Sequence, residues 1–426
     1  MVFSLNVKEA SALFNKLQGN ARGCLIYEPM FIVPYSLYLT YASIYMLELG
    51  ITETEIGLVT SLGLVLQIFT SLISGYLTDR MGRKRALLIY DLVSWSVATL
   101  LWMTAQNVWF FVIAAAFNSF QKVPNTAWYC LLVEGTHPKD RAYIFSTLQF
   151  ISVASGLLAP LGGLLVERYT LISAERMMYG LAFVSMTAMF ICRHFATYET
   201  EIGIRKMKEH ASFQWKALLQ EYIGVLRAIV ANKALLLVFG IYVLYQFQLT
   251  MRNTYLSIYL VQSLQFDAVW IAWLPAVTSV ATLLLLFFYI PRLNRDRMNT
   301  YMLVGLFICT AAYIIQIVTP PGAVMPILFS TVLTAAGSII VYPNLEAAVQ
   351  NAIDDDKRAS IFSILSVLIL IFISPAGLIG GWTYSIDPRL PFILIIAAFI
   401  WSAVLMLLYI QQTGKSANME NTRKEG

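Results

Sequence analysis

Stretches of apolar residues, each close to the twenty or so needed to cross the hydrocarbon of a bilayer, recur twelve times along this chain. They lie at approximately 25–47, 55–77, 86–105, 108–132, 142–166, 175–195, 235–259, 268–290, 300–318, 324–346, 359–381 and 390–411. No soluble core needs so many. Of the 426 residues, 58% are hydrophobic and 12% charged, about half the charged share of a soluble domain. The chain therefore reads as an all-α polytopic membrane protein, in contact with the lipid bilayer over most of its surface. Lys and Arg crowd alternate connections: Arg80 to Arg85, Lys139 and Arg141, Arg205 to Lys233, Arg292 to Arg297, then Lys357 and Arg358. That bias assigns these connections, and both termini, to the cytoplasm. An integral plasma (inner) membrane location follows. The net charge of +5 sits in these loops, so it reports topology rather than nucleic-acid binding.

The connection between the second and third spans is Gly75-Tyr76-Leu77-Thr78-Asp79-Arg80-Met81-Gly82-Arg83-Lys84-Arg85. Gly75 is expected to let its helix pack closely on a neighbour, and Gly82 to supply a tight turn. Asp79 is expected near the start of the following helix, favoured by its dipole and paired with Arg. The stretch resembles the G-x-L-x-D-R-x-G-R-K signature of the major facilitator superfamily, matched at every position and in the right place in the chain. The resemblance implies twelve transmembrane helices in two six-helix pseudo-symmetric halves. It makes Gly75, Asp79, Arg80, Gly82 and Arg83 parts of a cytoplasmic latch rather than substrate ligands.

The long polar segment 196–234 divides the chain into halves at 25–195 and 235–411, flanked by cytoplasmic segments at 1–24 and 412–426. Leu13, Phe14 and Leu17 suggest a short surface helix in the first flank, and Trp215, Leu218 and Leu219 suggest amphipathic helices in the linker. An internal repeat supports the division. Pro124-Asn125 matches Pro343-Asn344, Arg141-Ala-Tyr-Ile-Phe-Ser146 matches Arg358-Ala-Ser-Ile-Phe-Ser363, and Ala159-Pro160-Leu-Gly162 echoes Ser374-Pro375-Ala-Gly377.

Polar faces of spanning helices must meet a neighbour or an aqueous cavity. The fourth span places Asn118, Gln121, Lys122, Asn125 and Tyr129 at steps of three or four, and the seventh does so with Tyr242, Tyr245, Gln248, Arg252, Tyr255 and Tyr259. The first carries Tyr35, Tyr38, Tyr41 and Tyr45. In the superfamily, helices 1, 4, 7 and 10 line the central cavity, so three of these four carry polar stripes here. The bland readings stand beside this one. Tyrosines serve as packing or interfacial material, and Arg252 can snorkel to the outer surface. Lys122 lies near mid-membrane, where snorkelling is difficult, and is suited to meeting an anionic or strongly polar group.

Acids are scarce in mid-membrane. Asp91, about two turns into the third span, is the proton-carrier candidate, with pairing to a loop base as its alternative. Glu28 opens the first span. Glu134 and Glu346 end the fourth and tenth spans near Arg141 and Arg358, as gate braces on the cytoplasmic side. Four scattered cysteines and three loop histidines form no disulfide or metal pattern, so no cofactor is expected.

Gly156-Leu-Leu-Ala-Pro160-Leu-Gly162-Gly163 in the fifth span should bend that helix. It resembles the helix-5 motif of the drug–proton antiporter branch, with Ala159 in place of one Gly and the Pro-to-Gly spacing one residue short. The resemblance implies a monomeric secondary transporter working by alternating access: proton-coupled efflux of small amphipathic organic compounds. The alternative is an organic-anion carrier using Lys122 and Arg252. A polytopic transferase, the enzyme reading, would want a large extramembrane loop and no repeat.

Overall fold

A computed structural model of the chain describes residues 19–134, 136, 138–209, 220, 223, 224, 226, 227, 230–294, 297–351 and 358–425. Side chains at 138–140, 142, 143, 346–351, 358–365 and 413–425 are not among those described. The surface helix expected before residue 19, the linker helices around Trp215 and the side chains of Glu346 and Arg358 therefore lie outside the described residues.

Among the described residues the chain is all helix, and ten helices are long and apolar enough to cross a membrane. The first-span region forms a bent pair, Gly19–Leu39 and Ala42–Glu48, at 45° to one another, which makes an eleventh crossing if taken together. The expected fourth span is two helices of 12 residues each, Val108–Ser119 and Lys122–Val133. Each is about 18 Å long, short of a hydrocarbon core of about 30 Å. The ten long helices bury only 22–44% of their most apolar windows, so an apolar surface remains for lipid to cover.

Proline explains the interruptions. Its ring clashes with the carbonyl four residues back and offers that carbonyl no N–H. Four residues before Pro124 is Phe120, where the helix breaks, and the Phe120 carbonyl accepts from Val123 N–H instead at 2.9 Å. Four before Pro160 is Gly156, whose carbonyl accepts from Ala159 N–H at 3.2 Å as the fifth-span helix ends. Four before Pro375 is Ile371, whose carbonyl takes the Ser374 hydroxyl at 3.1 Å. Helix starts are fixed by side chains that satisfy free N–H groups. Thr52 and Glu55 form a reciprocal capping box, and Asn107, Thr170, Asn232 and Asp267 cap later helices.

The end of the bundle bearing the Arg80–Arg85 turn is here the basic end; its opposite, near Glu48 and Glu53, is the far end. The first and second halves of the chain are clasped at the far end. Thr40, its carbonyl freed at the bend, accepts from Ser257 Oγ at 2.8 Å, and Tyr41 Oη donates to the Ala268 carbonyl at 3.0 Å. Gln262 Nε2 donates to Glu53 Oε1 at 3.0 Å, and Leu378 N–H to Ser61 Oγ at 2.8 Å.

Candidate functional site

At the basic end, Arg83 is the hub. It is 4% exposed, and its guanidinium donates to Asp79 at 2.7 Å and to Glu134 at 3.3 Å. The second oxygen of Glu134 accepts from the Thr200 hydroxyl. Glu199 takes the N–H groups of Arg83 and Lys84, each at 3.0 Å. Three features differ from the sequence expectation. Asp79 lies in the last turn of Glu53–Met81, so it opposes that helix's dipole, and its ion-pair partner among the described residues is Arg83. The carboxylate at the start of the next helix is Glu199, which arrives from beyond the sixth span. Glu134 pairs with Arg83 rather than Arg141, whose Nε has no hydrogen-bond partner.

Gly82 takes φ 82° and ψ 152° as the tight turn requires, whereas Gly75 is exposed with no neighbour where a Cβ would stand. The close packing expected of Gly75 is absent because it faces outward. Arg80, also exposed, lies over the Tyr76 ring and donates to its hydroxyl at 2.9 Å. The Arg83, Asp79, Glu134, Glu199 and Thr200 network reaches on to the Gly203 N–H, so here it ties helices of the first half to the start of the linker.

About 12 Å along the helix from Arg83, Asp91 is buried and ion-paired with Arg193 of Leu171–Ala196. The partner is a spanning-helix arginine, not a loop base. The pair borders a cavity of about 150 Å³ lined also by Glu28, Phe31, Trp95, Asn125, Trp128 and Phe190. Phe31 and Trp95 meet edge to face at 5.0 Å, and the Arg193 guanidinium lies 5.5 Å from the Phe190 ring centre. One carboxylate oxygen of Glu28 is buried without a partner. Two acids and one base in a ring-lined hollow of benzene-holding size can accept a small charged or aromatic group.

The expected stripes are divided by their surroundings. Asn118 donates to the Ser94 carbonyl at 3.0 Å, tying the fourth span to the third, and Gln121 donates to Asn118 at 2.8 Å within the fourth span, so both amides are engaged. Asn125, past the Pro124 break, reaches the cavity. Lys122 opens the second piece of that span, half-buried; its carbonyl accepts from the Thr126 hydroxyl at 2.9 Å, while its ammonium makes no ion pair among the described residues. Arg252 is half-buried with no ion pair among the described residues, and its charge acts on Tyr245, Cys309 and Tyr313. Tyr245 and Gln248 are buried, Gln248 with its amide oxygen unpartnered, while Tyr242 accepts from Gln246 at 3.2 Å. Of the first-span tyrosines, Tyr35 is half-buried against Phe31 and Trp95. Tyr38, Tyr41 and Tyr45 are packed away, as the bland reading has it.

Sequence reasoning gave no role to Glu28, Arg193, Glu199 or Glu175. Glu175 reads as outer-loop charge but is wholly buried at the far end, among Tyr38, Tyr45 and Tyr179. The readable signal for Arg193 was a base inside the apolar sixth span.

Residues 30–375 match the Major Facilitator Superfamily. Multidrug resistance protein MdtG of Salmonella arizonae is 30% identical over 167 residues, covering 37% of this chain and 39% of that protein. The chain thus spans about two fifths of that relative's length. Among solved structures, the peptide transporter POT bound to alafosfalin superposes with a TM-score of 0.69 at 14% identity, over 97% of this chain and 99% of that one. The nucleoside transporter NupG gives 0.65 at 14% identity, over 92% and 99%. The human organic anion transporter MFSD10 gives 0.61 at 15%, over 93% and 98%. At such identities these structures speak for the fold alone. With a family match over most of its length, and with helices long and apolar enough to cross a membrane many times, the chain belongs to the Major Facilitator Superfamily, a family of multi-pass membrane transporters rather than enzymes.

Proposed function

We propose that this chain is a monomeric, twelve-span secondary transporter that exports small amphipathic organic compounds in exchange for protons. The halves 25–195 and 235–411 rock about the linker 196–234, with segments 1–24, 412–426 and the basic end in the cytoplasm of an inner membrane. Val108–Ser119 and Lys122–Val133 together make the broken fourth span. The observation that carries the reading is the ring-lined hollow bordered by Glu28 and the Asp91–Arg193 pair. It combines aromatic surface for an amphipathic solute with acids that can exchange protons, inside the half clasped to its partner at the far end. The likeness to a multidrug resistance protein supports the outward direction. Asp91 exchanges its proton as the pair with Arg193 loosens, and Glu28 supplies the second acid.

The test is proteoliposomes loaded with a fluorescent amphipathic dye under an imposed pH gradient. Gradient-driven dye movement that stops with a protonophore, and stops in Asp91→Asn, is the expected result. Movement indifferent to the gradient in a panel of dyes would refute proton coupling.

A second reading has its own observation: Lys122 and Arg252 carry positive charge without ion pairs among the described residues. If they bind an organic anion, Lys122→Ala weakens binding by about 1.5–3 kcal/mol, the range for charge-assisted bonds. A thermal-shift screen with anionic, neutral and cationic compounds reads this directly. Anion hits lost in Lys122→Ala and Arg252→Ala would favour the anion carrier; cation hits that survive both would favour efflux.

A further inference from the structure

At the far end of Leu171–Ala196, Glu175 is 0% exposed and neither carboxylate oxygen has a hydrogen-bond partner among the described residues. Its enclosure is aromatic. The Tyr38 and Tyr179 rings lie 4.6 Å apart, Tyr45 and Tyr179 5.8 Å, and Trp102 and Tyr179 5.6 Å. The Tyr179 hydroxyl stands beside the carboxyl, off aligned hydrogen-bond geometry, and the Tyr38 hydroxyl is also buried without a partner.

No base compensates the acid. Arg176, next in sequence, donates to the Ala105 carbonyl at 2.9 Å and leans on Tyr45 Oη at 3.5 Å. From the first span, the Tyr38 and Tyr45 rings pack on Tyr179, one turn from Glu175, and Tyr41 packs with Met178 around Gly162. On the packed helix Pro160–Arg168, Glu167 and Arg168 are exposed. From the second half, the nearest charge is another acid, Asp267, which acts on Tyr41 and caps the Val269 N–H at 3.1 Å. An ionised carboxylate in such a place costs several kcal/mol, so the clasped conformation suits the neutral acid.

The clasp itself adjoins this acid. Tyr41, which packs with Met178 of the Glu175 helix around Gly162, donates its hydroxyl across the halves to the Ala268 carbonyl at 3.0 Å. Parting the halves there removes Ala268 and opens a path for water beside the tyrosine cluster. We propose that Glu175 is a second proton-binding site, whose protonation from the far-side solution closes the far end and whose ionisation opens it. This deepens the alternating-access reading above and rests on it. The step is a proton transfer only, carboxylate plus a solution proton giving the carboxylic acid. The sign follows from linkage: the closed form binds more protons, so it gains as pH falls.

The test reads the far end directly in the full chain. Spin labels go on Glu48→Cys and Ser385→Cys, both exposed far-end positions in opposite halves, with Cys24, Cys130, Cys192 and Cys309 replaced by Ala. Distances are measured in nanodiscs from pH 5 to 8. In the otherwise wild-type protein, the short-distance population should rise as pH falls, by up to about tenfold in the closed-to-open ratio per pH unit for one proton. Glu175→Gln should hold the short distance throughout, and Asp91→Asn should keep the response.

A response unchanged in Glu175→Gln, or one abolished only by Asp91→Asn, overturns the proposal. If Glu175→Gln does not fold, Glu175→Asp decides: it must keep a pH response, and a pH-blind Asp variant also overturns it. Absence of dye transport would leave this readout intact and count against the efflux reading. Dye export with a pH-insensitive far end would sink only the Glu175 site.

Discussion

The helix Leu171–Ala196 holds one buried charged residue near each end, and the molecule treats the two in opposite ways. Arg193, toward the basic end, has an acid opposite it in Asp91 and a second, Glu28, beside the same cavity. Glu175, about 27 Å away along the axis, has no ion pair among the described residues and lies one turn from the Tyr38, Tyr45 and Tyr179 ring cluster. A buried ion pair stays in place while its environment stays dry; a lone buried acid must change protonation state whenever its environment becomes wet. One acid therefore changes its charge only as its pair loosens, and the other answers directly to the entry of water.

The comparison breaks most severely at Arg193. Arg193→Ala leaves Asp91 buried without its partner and should cost about 3–5 kcal/mol. That loss appears as a large fall in melting temperature of the detergent-purified protein. Arg193→Ala with Asp91→Asn removes the orphaned charge as well and should recover much of it. If the single variant melts like the wild type, water already reaches the pair and the contrast between the two ends is wrong.

The next effect is at the Arg83 hub. Arg83→Ala removes charge-assisted bonds to Asp79 and Glu134, worth about 1.5–3 kcal/mol each before relaxation. Asp79→Asn removes one of them. It should slow the transport cycle while leaving ligand affinity within a few-fold, because the network lies away from the cavity. Complete loss of ligand binding in Asp79→Asn would make the basic end part of the binding site.

These residues also show which features a sequence can disclose. Span positions follow from length and hydropathy, and the Asp79–Arg83 contact from a spacing of four on one stretch of chain. The interruption at Phe120 was available from Pro124, yet reading 118–129 as one face joined residues that the break separates. Asn118 braces the third span and Gln121 holds Asn118, while Asn125 reaches the cavity. The Asp91–Arg193 and Arg83–Glu134 pairs and the Glu199 cap link distant parts of the chain, with no local pattern to betray them. Glu175 and Arg176 are adjacent at the start of the sixth span. Successive residues on a helix point about 100° apart, so one entered the core and the other turned to the Ala105 carbonyl.

The smallest expected effects separate two glycines of the basic-end signature. Gly82 has backbone angles that side-chain-bearing residues rarely adopt, with the Glu199 carboxylate and Met207 sulfur packed where a Cβ would stand. Gly82→Ala should destabilise by about 1–3 kcal/mol and disturb the cap on Arg83 and Lys84. Gly75 is an exposed helical residue with open space beside it. Gly75→Ala should leave melting unchanged or raise it by up to about 1 kcal/mol through helix propensity. Should Gly75→Ala nevertheless stop transport without lowering the melting temperature, then Gly75 must pack closely in another conformation of the cycle. The basic end would then rearrange as the far end does, and its paired charges would belong to a moving part rather than a fixed one.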